Sequence, residues 1–318
     1  MRLKGKLAVL AVMAVATVII YLFIQVGSNW DYVLPRRGMK VVAMLLTAGA
    51  IAFSTLVFMT ITNNRILTPS IIGLDSLYLL IQTVVIFAFG SATLTMMDSH
   101  FQFLLTIGLM VLFSALLYQV LFKKEGQNIY FLLLVGIILG TFFESISTFM
   151  QVLIDPNEFQ IVQDRMFASF NNVNTDLLWI AIISVIFVAM YLTRFVKYLD
   201  VLSLGREQAI NLGVDYDAVV KRLLTVVAIL ISVSTALVGP ITFLGLLVVN
   251  VAHEFLKTYR HNYLIAGSIL IGIIAVVGGQ LIVERVFTFS TTLSVIINFI
   301  GGIYFIYLLL KESKSWLA

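Results

Sequence analysis

Apolar runs the length of a bilayer crossing follow one another almost from end to end of this chain. Its four prolines, Pro35, Pro69, Pro156 and Pro240, each fall in a polar break between such runs. Of 318 residues, 61% are hydrophobic and only 11% charged, and the mean hydropathy is +1.06. A soluble domain has to solvate its own exterior, and this composition leaves too little polar surface for that. A membrane-crossing helix needs about 20 mostly apolar residues. The chain is therefore expected to be an all-α polytopic membrane protein, one transmembrane domain over residues 1–318, whose function lies in short polar loops.

Ten spans are predicted from the apolar runs and their stops, at 7–26, 39–61, 71–91, 101–122, 128–150, 176–195, 222–238, 241–256, 263–284 and 292–310. The third and eighth abut Pro–Gly breaks and are expected to be short or broken, which a membrane tolerates where protein buries the backbone or a cavity meets it. Met1 to Lys6 followed by apolar Leu7 to Ile24 has the look of a signal peptide, but no small-residue cleavage site follows, so it is taken as a retained first span. With the N-terminus in the cytoplasm, Arg2, Lys123 and Lys124 join twelve other cations inside, while Arg36, Arg37, Lys40, Arg165 and Arg285 fall outside. That bias sets the orientation, and an even span count puts both termini in the cytoplasm. The net charge of +4 thus reflects topology. No basic run with interleaved aromatics points to nucleic acid. The absence of cysteine excludes disulfides, cysteine–zinc sites, iron–sulfur clusters and thiol catalysis.

One cytoplasmic stretch, residues 202–214, has a helix boundary at each end. Gly205 can start a two-turn helix and Gly213 can stop it in a left-handed conformation. Ala209 and Leu212 fall three apart on one face, and Arg206 and Glu207 face water or a partner. So short a helix is not stable alone. It either lies on its own bundle or docks into a partner's groove.

The pattern Leu-Gly-x-x-x-Ala-x-x-Leu-Gly-Val at Leu204 to Val214 resembles the coupling segment of the FecCD family, the permeases of bacterial iron-siderophore and cobalamin ABC importers. Asn64 to Gly73, with Pro69 inside it, is similar to that family's Asn-Pro-Leu-Ala-x-Pro-x-x-Leu-Gly loop, although the family's first proline, in register beside Arg65, is missing. Gly239-Pro240-Ile241-Thr242-Phe243-Leu244-Gly245-Leu246 is similar to its Gly-Pro-Ile-x-Phe-x-Gly-Leu signature. The family's following Pro-His-x-x-Arg is replaced by Val249-Asn250-Val251-Ala252-His253. Leu34-Pro35-Arg36 looks like the family's Arg-Leu-Pro-Arg with Val33 in place of the first arginine, for which Arg37 or Lys40 can substitute. Arg285 stands where the family ends its ninth span in arginine, with Leu281 in place of the usual aspartate.

The resemblance implies an ABC type II importer fold and a division of labour. Leu204, Gly205, Arg206, Glu207, Ala209, Leu212 and Gly213 would sit on cytoplasmic ATPase subunits. Arg36, Arg37 and Arg285 would receive an extracytoplasmic substrate-binding protein, as charge pairs steer docking; the bland alternative is that they anchor helix ends at headgroup level. Asn64, Pro69, Gly73, Gly239, Pro240 and Gly245 would border or support the path. The implied partners are those proteins, a second permease that is either a copy or a related chain, membrane lipid and a ferric siderophore. The implied location is the bacterial cell membrane.

No P-loop is present, so the chain is expected to be a transport subunit without an ATPase site, and no cofactor or metal site of its own is expected: His100, His253 and His261 form no ligand spacing. Haem and cobalamin remain alternative cargoes. An ion-coupled secondary transporter is the rival mechanism; it would use Glu144, an ionisable residue inside a span, or broken helices for ion coupling, whereas Glu254 near Lys257 and Glu284 beside Arg285 are read as interfacial. An intramembrane enzyme would need a convergent nucleophile–base or metal set, and none is visible. Gly136-x-x-x-Gly140 is a close-packing face.

Overall fold

The computed structural model describes residues 3–27, 29–96, 98–121, 129–171 and 173–316. Arg2, Lys123 and Lys124, three of the cations assigned to the cytoplasm, lie outside the described residues. Among the described residues there are helices and turns only: α1 (Leu3–Phe23), α2 (Trp30–Thr62), a 3₁₀ turn (Pro69–Ile72), α3 (Leu74–Met96), α4 (Ser99–Leu121), α5 (Ile129–Leu153), α6 (Pro156–Met166), α7 (Thr175–Leu192), α8 (Val196–Leu202), α9 (Arg206–Asn211), α10 (Tyr216–Val238), α11 (Leu244–Leu256), α12 (His261–Arg285) and α13 (Leu293–Trp316).

Among the described residues eight helices are long and apolar enough to cross a membrane, namely α1, α2, α4, α5, α7, α10, α12 and α13. Two shorter apolar helices, Leu74–Gly90 and Leu244–Leu256, lie beside these eight, close to the ten spans predicted. They are the third and eighth spans, shortened as their Pro–Gly breaks foretell. At 1.5 Å per residue they reach about 25 and 20 Å, against a hydrocarbon core of about 30 Å. Gly90, at φ +74°, breaks α3 at its far end.

α2 lies at the centre, and every residue from Ala50 to Thr62 is buried. A helix apolar all round belongs in a core. α10, α12 and α11 all pack directly on it; α1 lies mainly on α12, α13 on α11 and α12, and α3, α4, α5 and α7 gather on the α10 side. Small residues allow close approach between α2 and α12: a Cβ at Gly272 would stand 3.4 Å from the Ala48 carbonyl oxygen. Asp155, Asn174 and Asp215 cap α6, α7 and α10 by accepting backbone N–H bonds.

The polar contacts sort into two ends. At one, Lys6 Nζ donates to the Phe255 carbonyl at 2.5 Å, and Asp200, His261 and Thr60 meet. At the other, Tyr21, Lys40, Asn171, Gln280 and Glu284 form a network. This alternation fits the predicted order of spans. The first end carries residues 196–215, the stretch expected in the cytoplasm, and is called the inner end below.

Candidate functional site

At the inner end, α8 and α9 form a short double helix between α7 and α10. Gly205 (φ +95°) opens α9, and Gly213 (φ +82°) closes it. The closure is a Schellman motif, with Val214 N–H donating to Ala209 O at 3.0 Å and Gly213 N–H to Ile210 O at 2.9 Å. Both glycines hold the boundaries assigned from sequence. The faces divide differently from the expectation: Ala209 is fully buried, whereas Leu212 is 62% exposed. The cause is that Leu212 follows the last helical residue and caps it, so it leaves the Ala209 face. Leu204, Glu207, Ile210 and Leu212 are exposed, a surface of mixed apolar and acidic character. Arg206 turns back on its own bundle. It pairs with Asp217 at 3.0 Å, over the ring of Tyr216.

Sequence reading missed how α8 is held. Asp200 Oδ1 accepts the His261 backbone N–H at 2.8 Å and lies 2.6 Å from His261 Nδ1, while His261 Nε2 lies 2.8 Å from Thr60 Oγ1. A carboxylate only accepts, so Nδ1 carries the proton between them. His261 is 4% exposed. A histidine two residues before a predicted span carries no spacing signal that names Asp200 as its partner. Beside this cluster a cleft of about 560 Å³ is lined by Thr60, Arg65, Ser203, His253, Lys257 and His261 among others.

The two Pro–Gly breaks meet inside the bundle. Pro69 starts the 3₁₀ turn, and Gly73 (φ +87°) ends it against α5: a Cβ there would lie 2.8 Å from Gly140 Cα, and one at Gly136 would lie 2.8 Å from Ile72 Cα. The Gly136-x-x-x-Gly140 face thus receives the backbone of residues 71–73. Asp75, in the first turn of α3, accepts from Thr242 Oγ1 at 3.3 Å, joining the start of α3 to the start of α11. Asp75 was not singled out from sequence, although it is an acidic residue inside a predicted span. Gly239 (φ +98°) lies against Ala168, 3.0 Å from a virtual Cβ, in the segment after α6. Pro240 is buried beside it, and a Cβ on Gly245 would overlap the Thr55 side chain on α2. Asn64 Oδ1 accepts the Ile66 N–H at 2.9 Å. Asn250, at the departure from the family signature, donates to Arg65 O and Leu246 O, both at 2.9 Å. That bond ties α11 to the Asn64–Gly73 loop. α6 runs along α3, with Val162 packed on Ile86 and Arg165 against the Tyr78 hydroxyl.

At the outer end the three arginines divide. Arg36 is exposed and stacks on Tyr32, 4.4 Å from the ring centroid. Arg37 Nη1 donates to the carbonyls of Tyr21, Leu22 and Ile24 at 3.2, 3.0 and 2.7 Å. Arg285 donates to Gln25 Oε1 at 2.6 Å and to Ile24 O at 3.2 Å. Arg37 and Arg285 therefore satisfy the carbonyls that end α1, and Arg36 is the one turned outward. Arg36, Arg37 and Lys40 share a cleft of about 710 Å³ with Asn171 and Asn174. Below it Glu284 accepts from Tyr21 Oη at 2.8 Å and Gln280 Nε2 at 3.0 Å, and pairs with Lys40 at 3.5 Å.

On α5, Thr141, Glu144, Ser145 and Thr148 form an exposed polar stripe within an otherwise apolar span. Among the described residues no group of three or more His, Asp or Glu side chains is arranged to hold a metal.

The comparisons with known proteins agree with this architecture. The chain is 67% identical over 316 residues to the petrobactin import system permease protein YclO of Bacillus subtilis (strain 168), covering 99% of this chain and all of that one. It is 40% identical over 280 residues to the petrobactin import system permease protein FatC of Bacillus anthracis, 88% of this chain and 79% of that one. Its fold matches a solved metal-chelate type ABC transporter in an inward-facing conformation with a TM-score of 0.84, at 21% identity, over 97% of this chain and 99% of the other. The model of the FecCD transport family matches residues 5–311, and the chain belongs to that family.

Proposed function

We propose that this chain is the membrane permease subunit of an ATP-driven importer of a ferric siderophore, with ferric petrobactin as its cargo. The observation that carries the proposal is the full-length identity of 67% to a petrobactin import permease. The inner-end helices supply the mechanism. An ATPase pair in the cytoplasm binds over Leu204 to Gly213, where exposed Leu204, Glu207, Ile210 and Leu212 surround buried Ala209. Its closing and opening move α8 and α9, and the spans follow. A binding protein on the outer face meets Arg36, with Arg37 and Arg285 holding the end of α1 in place beneath it.

A second permease closes the path. The polar stripe on α5 supports this, because an ionised side chain facing lipid near mid-bilayer costs about 3 kcal/mol. Covered by a partner subunit, the stripe lines a watery route instead. The junction of Asp75 with Thr242, and the packing of Gly73 on Gly140, then brace the breaks in α3 and α11 beside that route. Both termini lie in the cytoplasm on this orientation.

The test is uptake of radio-iron from a panel of ferric siderophores, petrobactin included, in cells with and without the gene. Gene-dependent uptake of ferric petrobactin alone is the expected result. Gene-dependent uptake of a different chelate moves the cargo, and dependence only for haem or cobalamin overturns the siderophore assignment. Uptake that survives ATP depletion but follows an ion gradient overturns the ABC mechanism.

A further inference from the structure

A short helix that receives a push has to be fastened to something that can carry it. α8 has seven residues and α9 six, too few to stand by themselves. The bond from Asp200 to the backbone of His261 fixes α8 on the first turn of α12, and its bond to the imidazole fixes it a second time. His261 continues to Thr60, in the last turn of α2. Thr60 Oγ1 also lies 2.8 Å from the Leu56 carbonyl, so the hydroxyl is seated on its own helix. Two spans are thus held by one carboxylate on the helix that precedes Gly205.

These two spans pack along each other through Ala48 and Gly272, and they are joined again at the far end. There Lys40 of α2 pairs with Glu284 of α12, and Gln280 of α12 and Lys40 both bond Asn171. α2 and α12 therefore form a strut, pinned at the inner end by Asp200, His261 and Thr60 and at the outer end by Lys40 and Glu284. Arg36 and Arg285 stand at the outer end of the same strut.

We infer that Asp200, His261 and Thr60 are positioning residues for energy coupling: they pass movement of the α8–α9 segment into α2 and α12, and so to the outer face. The inference rests on the importer function proposed above. It predicts a defect in the ratio of transport to hydrolysis, because the ATPase contact on α9 is left intact when these side chains change. A role in folding alone would lower the amount of transporter and leave that ratio unchanged.

The experiment uses the complete transporter, this chain with its permease partner and ATPase, in liposomes with its binding protein and ⁵⁵Fe-labelled ferric petrobactin. ATP hydrolysis and iron uptake are measured together. For Asp200→Ala, His261→Ala and Thr60→Val, hydrolysis is expected to stay near wild type while iron moved per ATP falls about tenfold, the size of an ordinary coupling energy. Because the chain contains no cysteine, the double variant Asp200→Cys, His261→Cys adds a control within the native geometry. The Asp200 carboxylate accepts the His261 backbone N–H at 2.8 Å, and thiol titration establishes that the pair is bridged when oxidised before transport is compared. Oxidation is expected to raise the ratio and reduction to lower it again. Wild-type ratios in all three single variants, or a ratio indifferent to the redox state of the cysteine pair, overturn the inference while leaving the importer function standing. A wild-type complex that imports no ferric siderophore overturns the function and the inference with it.

Discussion

Gly73 tolerates little change, because the backbone of α5 stands where its Cβ would go. Gly73 combines a left-handed φ of +87° with a neighbouring backbone 2.8 Å from where its Cβ would be. Gly73→Ala therefore carries both conformational strain and displacement of α5, and a loss of about 2–3 kcal/mol is expected. It should show as a clear drop in the apparent Tm of the detergent-solubilised protein. Gly38→Ala is the matched control, since a Cβ there meets nothing within 4 Å; in a helix interior it should leave Tm unchanged or raise it slightly. The spacing of Gly136 and Gly140 was enough to read a close-packing face from sequence. The backbone of Ile71 to Gly73 as its occupant was not, because a spacing names a face and not its neighbour. The same limit applies to Arg37. Its charge and position suggested docking, and only the path of α1 reveals three carbonyls waiting for a donor.

Among the elements, the α8–α9 pair carries the sharpest expectation. Arg206→Ala with Glu207→Ala should leave the amount of protein in the membrane unchanged and remove most ATP-driven uptake. Immunoblotting of membranes and radio-iron uptake, side by side, check this. The Arg206–Asp217 pair is about 40% exposed on both sides and contributes less than about 1 kcal/mol to stability, so unfolding would not explain the loss. Normal uptake would remove the segment from the coupling machinery. α9 was legible because glycines bound it. α8 was not, since its seven residues lie in a polar stretch whose order depends on Asp200 reaching His261, 61 residues later. The third and eighth spans were legible as irregular from Pro69, Gly73, Gly239 and Pro240. Their meeting through Asp75 and Thr242 is tertiary, and nothing in either segment alone announces it.

Across the whole molecule, the exposed surface of the bundle separates into lipid and water. The absence of cysteine makes this measurable one position at a time. In the assembled transporter, Thr148→Cys on the polar stripe of α5 should react with a membrane-impermeant maleimide, and Ile183→Cys, at a position 66% exposed on apolar α7, should not. Equal labelling of the two would put the α5 stripe against lipid and remove it from the pathway. The eight long apolar helices and the two shorter ones were readable from apolar runs alone, since each span has to satisfy the bilayer individually. One span does not meet that requirement. α11 has thirteen residues, too few to partition into a bilayer by itself, and it ends at Lys257 with Arg260 shortly beyond. During synthesis it cannot stop in the membrane as an independent segment. It is expected to enter as a hairpin with α10 and to settle on α2, which is made before it and whose Thr55 side chain closes over Gly245. A reporter fused after Arg260 should therefore be oriented correctly only when α1 and α2 are present upstream, so the order of translation itself is part of how this permease acquires its topology.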